Sequence, residues 1–305
     1  MNRLPRAKRE KILTLLVEGC SMKSIMRAEK VHLDTITRLL IDAGKACMDF
    51  HDAAVRNLRL TKRVQVDEMW SFVYCKQKTV PYARKAPPDA GDVWTWTGLD
   101  ADSKMLISWV FGPRDSGSAY RLMHDLAFRV PGRVQLSTDG FLAYLDAVES
   151  AFGGDVDFAQ VIKAYGPAEG EPERERRYSP GVCTSVRKVP IMGDPIDGYI
   201  STSYVERSNL NFRMGNRRFT RLTNGFSKKV ANHAYQVALY VVYHNWCRQH
   251  TTTRLAPAQA AGLTDELRDM DWLTGLVEAR DKPPGPRGPY RRERKKRKDA
   301  GIKRA

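Results

Sequence analysis

Three acidic residues stand where their chemistry needs an explanation. Asp67 interrupts an apolar, strand-like run from Val64 to Tyr74, and an acid in a central strand is costly to bury unless it is paired or metal-bound. Asp139 follows Leu136-Ser137-Thr138 at the end of a second such run, and Gly140 opens the turn into a helix. Sheets flanked by helices place ligand-binding groups there, outside the carboxyl ends of their strands. Glu206 lies near the start of a helical stretch beginning at Tyr204. Taken singly, each has an ordinary use: an edge-strand acid facing water, a turn or N-cap acid, and compensation of a helix dipole. Together they can converge at one end of a mixed sheet, where oxygen ligands suit Mg²⁺ or Mn²⁺ and leave positions open for water and phosphate. Two ions in such a triad support in-line phosphoryl transfer.

The elements that must position these acids follow from periodicity. From Arg6 to about Gly44 the pattern reads as three short helices, with breaks at Gly19 and near Val31, Ser21 and Asp34 as caps, and Gly44 as a stop. Tight turns between short helices suggest a helix-turn-helix. In it, Thr35, Thr37 and Arg38 would approach base edges, and Lys23 and Arg27 would meet phosphates. Any small three-helix bundle gives the same pattern. Strands are expected over Val64–Tyr74, Val93–Leu99, Met105–Phe111, Val134–Thr138 and Asp157–Ile162, with helices over Ser118–Phe128 and Phe141–Phe152. Three strands followed by alternating helix and strand indicate an α/β sheet of mixed direction. Gly166 to Ser201 breaks the regularity and reads as an insertion or long loop. Asn232 to Cys247 is a strongly apolar helix, and a further helical stretch falls between Pro257 and Ala279.

The chain thus divides into a helix-turn-helix domain with its linker over 1–60, a catalytic α/β domain over 61–262 with an insertion at about 166–201, a helical extension over 263–282, and a basic tail over 283–305 whose composition predicts disorder.

Composition narrows the partner. Lys and Arg number 51 against 35 Asp and Glu, a formal net charge of +16, which favours a polyanionic partner, nucleic acid first, although a generic basic protein of the ribosomal or membrane-surface kind has the same balance. The five cysteines are scattered, with no CxxC pair, so a disulfide framework or zinc ribbon is not expected, and a cytoplasmic setting fits. No long apolar run suggests a membrane span.

At the three acids the sequence resembles the DDE transposases of bacterial insertion sequences, most closely the longer form of the insertion-sequence-one family. The resemblance runs from about Val64 to Gly262. It is carried by Val66-Asp67-Glu68-Met69-Trp70-Ser71-Phe72-Val73, by Ser137-Thr138-Asp139-Gly140, by Ser201-Thr202-Ser203-Tyr204-Val205-Glu206-Arg207-Ser208-Asn209-Leu210, and by the stretch from Arg218 to Lys229. It implies a ribonuclease-H-like core and the triad Asp67, Asp139 and Glu206 holding two Mg²⁺ or Mn²⁺ ions. The implied activity is cleavage at the element's terminal inverted repeats with strand transfer into double-stranded target DNA. It further implies a homo-oligomer assembled on DNA in a bacterial nucleoid, and it matches Arg213, two turns beyond Glu206, to a basic residue near the scissile phosphate. The family's short members carry a cysteine-rich zinc-binding N-terminus that this chain lacks, so recognition of element ends is expected from the helix-turn-helix.

Arg213, Arg217, Arg218, Arg221, Lys228 and Lys229 form a basic stretch continuing from Glu206, read either as a solvated face or as a phosphate-tracking one. Glu68 and Asp100 read as structural or solvated, Trp94, Trp96 and Trp109 as sheet packing, and His244, Cys247 and His250 as helix packing rather than zinc ligands. Two other functions fit parts of the sequence: a ribonuclease-H-like nuclease or recombinase that cuts without joining, and a non-catalytic DNA-binding regulator that leaves the acids idle.

Overall fold

The computed structural model describes residues 3–166, 181–220 and 223–281. Arg221, residues 167–180 and the basic tail lie outside the described residues. The chain opens with α1 (Arg6–Val17), α2 (Met22–Glu29) and α3 (Leu33–Ala54). Ser21 caps α2 by accepting from the Ser24 amide at 3.0 Å, as its sequence position predicts. His32, not Asp34, is the N-cap of α3.

The sheet follows as β1 (Arg63–Val73), β2 (Gly91–Asp100), β3 (Leu106–Gly112), then α4 (Ser116–Arg129), β4 (Val134–Asp139), α5 (Ala143–Phe152), β5 (Val156–Gly166) and β6 (Val182–Met192). Its order is β3-β2-β1-β4-β5-β6. β1, β2 and β3 are antiparallel neighbours, β4 runs parallel to β1 and β5 parallel to β4, and β6 returns antiparallel on β5. The first five strands have the ribonuclease-H-like arrangement implied by the resemblance. The segment 166–201, read as an insertion or long loop, contains the strand β6, which corrects the loop alternative only. Nearly every residue of β6 is exposed, so neither face carries the apolar alternation from which a strand is read.

Alternation along β1 sorts the helices onto two faces. Val66 shares a core with Leu122 and Leu126 of α4 and Tyr144 of α5. Met69, on the other face, clusters with Val205 and Phe212 of α6 (Ser203–Gly215) and with Val237 and Tyr240 of α7 (Val230–Val242). A π-helical turn, Tyr243–Cys247, prolongs α7, and α8 (Pro257–Ala260) and α9 (Met270–Ala279) complete the described chain. No helix among the described residues is long and apolar enough to cross a membrane.

The boundary read near residue 60 is not a break in packing. Ile12, Leu13, Ile36 and Leu40 belong to the same apolar cluster as Leu239 and Trp246 beyond the sheet and Leu273 of α9. Gly44 does not stop α3; the helix runs ten residues further, and Gly44 is where it meets α7. A Cβ added there would lie 2.2 Å from Cβ of Tyr235. Helix propensity alone favours Ala over Gly by about 1 kcal/mol, so the two effects oppose each other. Gly44→Ala is expected to lower stability by about 2 kcal/mol, because overpacking outweighs propensity. Urea denaturation checks this, and a stabilised variant would mean that α3 and α7 do not touch at Gly44.

Candidate metal centre

The parallel pairing of β1 with β4 runs through Arg63–Gln135 and Val64–Leu136 to Gln65–Ser137 and stops. Asp67 and Asp139 each lie two residues past the last paired position, so they face one another across the point where the two strands part. This is the kind of crevice at the carboxyl ends of adjacent strands in which such sheets bind ligands. Oxygens of Asp67, Glu68 and Asp139 all lie within 4.8 Å of one another there.

The presence of Glu68 is the departure from the sequence reading. Successive residues of a strand point to opposite faces, and the two acids do leave β1 on opposite sides. Asp67 Oδ2 accepts from Asn209 Nδ2 of α6 at 2.7 Å, whereas Glu68 Oε2 accepts from the hydroxyl of Tyr144 of α5 at 2.8 Å. The crevice is open between the strands, so carboxylates from both faces reach it. Only the adjacency of Glu68 to Asp67 signalled this in the sequence. Asn209 was also missed as a site residue, although it lies one turn beyond Glu206 on the same face of α6.

Cations offset the gathered charge. Arg114, in the loop between β3 and α4, donates through Nε to Glu68 and through Nη2 to Asp139 Oδ2 at 3.3 Å. Its guanidinium lies 4.2 Å from the Phe141 ring centroid. Asp139 Oδ1 accepts from the Phe141 amide at 3.0 Å, which fixes the turn after β4.

Glu206 stands apart from the group of three. It lies in the first turn of α6, accepts from Thr202 Oγ1 at 2.6 Å, and is paired with Lys163 of β5. The start of α6 is held to β1 by Gln65, whose Oε1 accepts from the amides of Tyr204 at 2.9 Å and Val205 at 3.0 Å. The Glu206 carboxylate is near enough for its charge to act on Asp67.

Burial, then the charge of Glu68, with smaller contributions from Asp139 and Glu206, push the Asp67 pKa up from 3.8 to about 7. Burial and Asp139 likewise raise Glu68, against the hydrogen bonds from Arg114 and Tyr144. Hard oxygen donors that repel one another in a part-buried crevice fit a divalent cation of the Mg²⁺ or Mn²⁺ type, which would relieve that repulsion.

The predicted DNA-contacting residues divide by exposure. Arg38, Lys228 and Lys229 are exposed, and Thr35, Thr37, Arg213 and Arg217 are half-buried. Thr37 Oγ1 donates back to the Leu33 carbonyl at 2.9 Å. Arg218 donates to Ser227 Oγ at 2.7 Å and approaches Met22 Sδ at 3.6 Å. It therefore ties the segment after α6 to α2, and its burial lowers its pKa to about 10. His244 is buried, with Nε2 3.1 Å from the Lys104 carbonyl oxygen, in keeping with a packing role.

No protein-family model matches the chain, and no curated protein is significantly similar to it. Among solved structures, a piggyBac transposase synaptic complex with hairpin DNA aligns over 90% of this chain and 70% of its own at 10% identity and a TM-score of 0.36. A Mos1 transposase paired-end complex with the left transposon end covers 52% of this chain and 60% of its own, at 13% identity and a TM-score of 0.20. A Mos1 mariner paired-end complex with Mn covers 78% of each chain, at 12% identity and a TM-score of 0.20.

The raised Asp67 pKa has a sign that can be checked without substrate. A folded-state value near 7, above the ordinary 3.8, means that the contribution of Asp67 to stability is intact below about pH 3.8 and is lost as pH rises through about 7. In EDTA at pH 8, Asp67→Asn should therefore be more stable than the wild type by something on the order of 1–3 kcal/mol. The gain should fade towards pH 4, and Mn²⁺ should reverse the ranking at pH 8 by stabilising only the wild type. Melting curves across pH test this; identical curves at pH 8 would show that Asp67 carries no burial cost.

Proposed function

We propose that the chain is a metal-dependent polynucleotidyl transferase of the DDE transposase type, which cuts DNA at the ends of a mobile element and joins them to target DNA. The observation that carries the reading is the meeting of Asp67, Glu68 and Asp139 oxygens within 4.8 Å where β1 and β4 part. The net charge of +16 favours a polyanionic substrate, and the four motif blocks of the resemblance name the class.

Asp67 and Asp139, with Glu68 beside them, would hold the cation, and Glu206 would join from α6 by exchanging its pairing with Lys163. Bound divalent ions would lower the pKa of an attacking water or DNA 3′-hydroxyl and stabilise charge on the leaving oxygen. Gln65 and Asn209 keep α6 against β1, and Arg213, two turns beyond Glu206 on the same helical stripe, would come near the scissile phosphate. Arg114, freed from Glu68 and Asp139 if a cation took up their charge, would be placed to donate to a phosphate oxygen in their stead. Exposed Lys228 and Lys229, with Arg217, would contact backbone phosphates, and exposed Arg38, with Thr35 and Thr37 at the start of α3, would approach base edges. Recognition of terminal inverted repeats by α3, and pairing of two ends by a homo-oligomer, complete the reading.

The test uses DNA flanking the gene, cut to expose its inverted repeats, with a supercoiled target plasmid. The wild type should give joined products only with Mg²⁺ or Mn²⁺. Asp67→Asn and Asp139→Asn should each lower joining by about 10²–10³-fold or more, in the range seen when one preorganised charge-stabilising group is lost. Glu206→Gln should do the same, and Glu68→Gln should raise the Mn²⁺ concentration needed for half-maximal joining. Cleavage without joined product would instead identify a nuclease. Metal-independent DNA binding with no cleavage would identify a regulator.

A further inference from the structure

The helix that carries Glu206 has a second working face. Tyr204, Arg207, Ser208 and Asn211 recur at the spacing of one helical stripe, turned away from Asn209 and Asp67, and they line a cavity of about 280 Å³. The opposite wall comes from Lys104, in the turn between β2 and β3, and from His244 and Arg248 at the end of the π-helical turn after α7. The lining contains three basic side chains and no carboxylate. Neither Arg207 nor Arg248 has a carboxylate partner among the described residues, and both are exposed at the rim. A larger cavity, of about 440 Å³, is different: its Arg63 and Arg133 are neutralised by Asp102 and Asp157.

The basic wall is built rather than incidental. Lys104 is 9% exposed and adopts a left-handed backbone, φ 66°, which a non-glycine residue takes at a cost. Its ammonium donates to the Ala101 carbonyl and lies 3.5 Å from the Tyr204 ring centroid. Its own carbonyl oxygen lies 3.1 Å from His244 Nε2. Positive charge in a concave site, with two exposed guanidinium groups at its mouth, is the arrangement that binds a phosphate oxyanion.

We propose that this cavity is a phosphate-binding subsite for the backbone of the DNA strand whose reacting phosphate lies in the acidic crevice on the other side of α6. This rests on the polynucleotide reading above. A helix is about 10 Å across and a strand advances about 3.4 Å per nucleotide, so a strand crossing α6 brings a phosphate about three nucleotides from the reacting one to Arg207 and Arg248. Lys104 supplies the fixed field beneath them. The subsite sets the path of the strand past Glu206 without reading its sequence.

The test compares the wild type with the double variant Arg207→Gln/Arg248→Gln, both substitutions being at exposed positions. Binding of a fluorescein-labelled duplex is followed by anisotropy over a salt series, with Mn²⁺ calorimetry as a control for the acidic crevice. The subsite predicts about tenfold weaker duplex binding and a salt slope reduced by about one, the signature of a lost phosphate contact, with Mn²⁺ binding and melting temperature unchanged. Unchanged affinity and slope overturn it. If the wild type binds no duplex at any salt concentration, the polynucleotide reading fails, and titration with inorganic phosphate separates the two claims. Heat seen in the wild type and absent in the variant leaves a small-phosphate site and overturns the backbone assignment. No heat in either overturns the cavity as an anion site altogether.

Discussion

Three carboxylates held within 4.8 Å of one another in a part-buried crevice repel each other, and much of the surrounding structure can be understood as the means of keeping them there. Burial and mutual charge hold Asp67 near pKa 7. Arg114 spans Glu68 and Asp139, and Lys163 occupies Glu206. The backbone cannot relax the strain by withdrawing an acid. Asp67 is in a central strand paired with β2 on one side, and Asp139 ends a strand paired with β5 through its own position. α6 is held to β1 through Gln65 and Asn209. An arrangement that costs stability when empty of cations and is nonetheless fixed from several directions is what a preorganised metal site requires.

The sequence revealed the members of this site unevenly, for physical reasons. Asp67 and Asp139 stand out because each interrupts or ends an apolar run, where an acid is costly. Glu68 is hidden because alternation assigns neighbouring strand residues to opposite faces; the parting of β1 from β4, a tertiary feature, brings both faces to one crevice. Glu206 is legible only from its motif block, and the structure has it in the first turn of α6, paired with Lys163. The order of strands and helices was readable from periodicity through β5. β6 was not, because both of its faces meet solvent. Gly44 misled because helix propensity is local, whereas its use, letting α3 approach Tyr235, is not.

Charge was legible in amount and less so in placement. Arg218 looked like one more member of a basic stretch, yet its guanidinium is used to join the segment after α6 to α2. Gly19 sits directly against the Met214 carbonyl, so the turn between α1 and α2 also rests on the end of α6. The helix carrying Glu206 therefore touches the N-terminal helices at one end and the acidic crevice at the other. It flanks a basic cavity on its far side. A DNA strand bound by one of these surfaces would be registered relative to the others through a single rigid element.

The central claim, that Asp67, Glu68 and Asp139 form a divalent-metal centre, is tested most directly by crystals of the protein soaked in Mn²⁺ and measured at the manganese absorption edge. The account predicts an anomalous peak between β1 and β4, within coordination distance of Asp67 and Asp139 oxygens, with the Arg114 guanidinium moved off Asp139. An empty crevice at saturating Mn²⁺, with Arg114 still bridging Glu68 and Asp139, would contradict it.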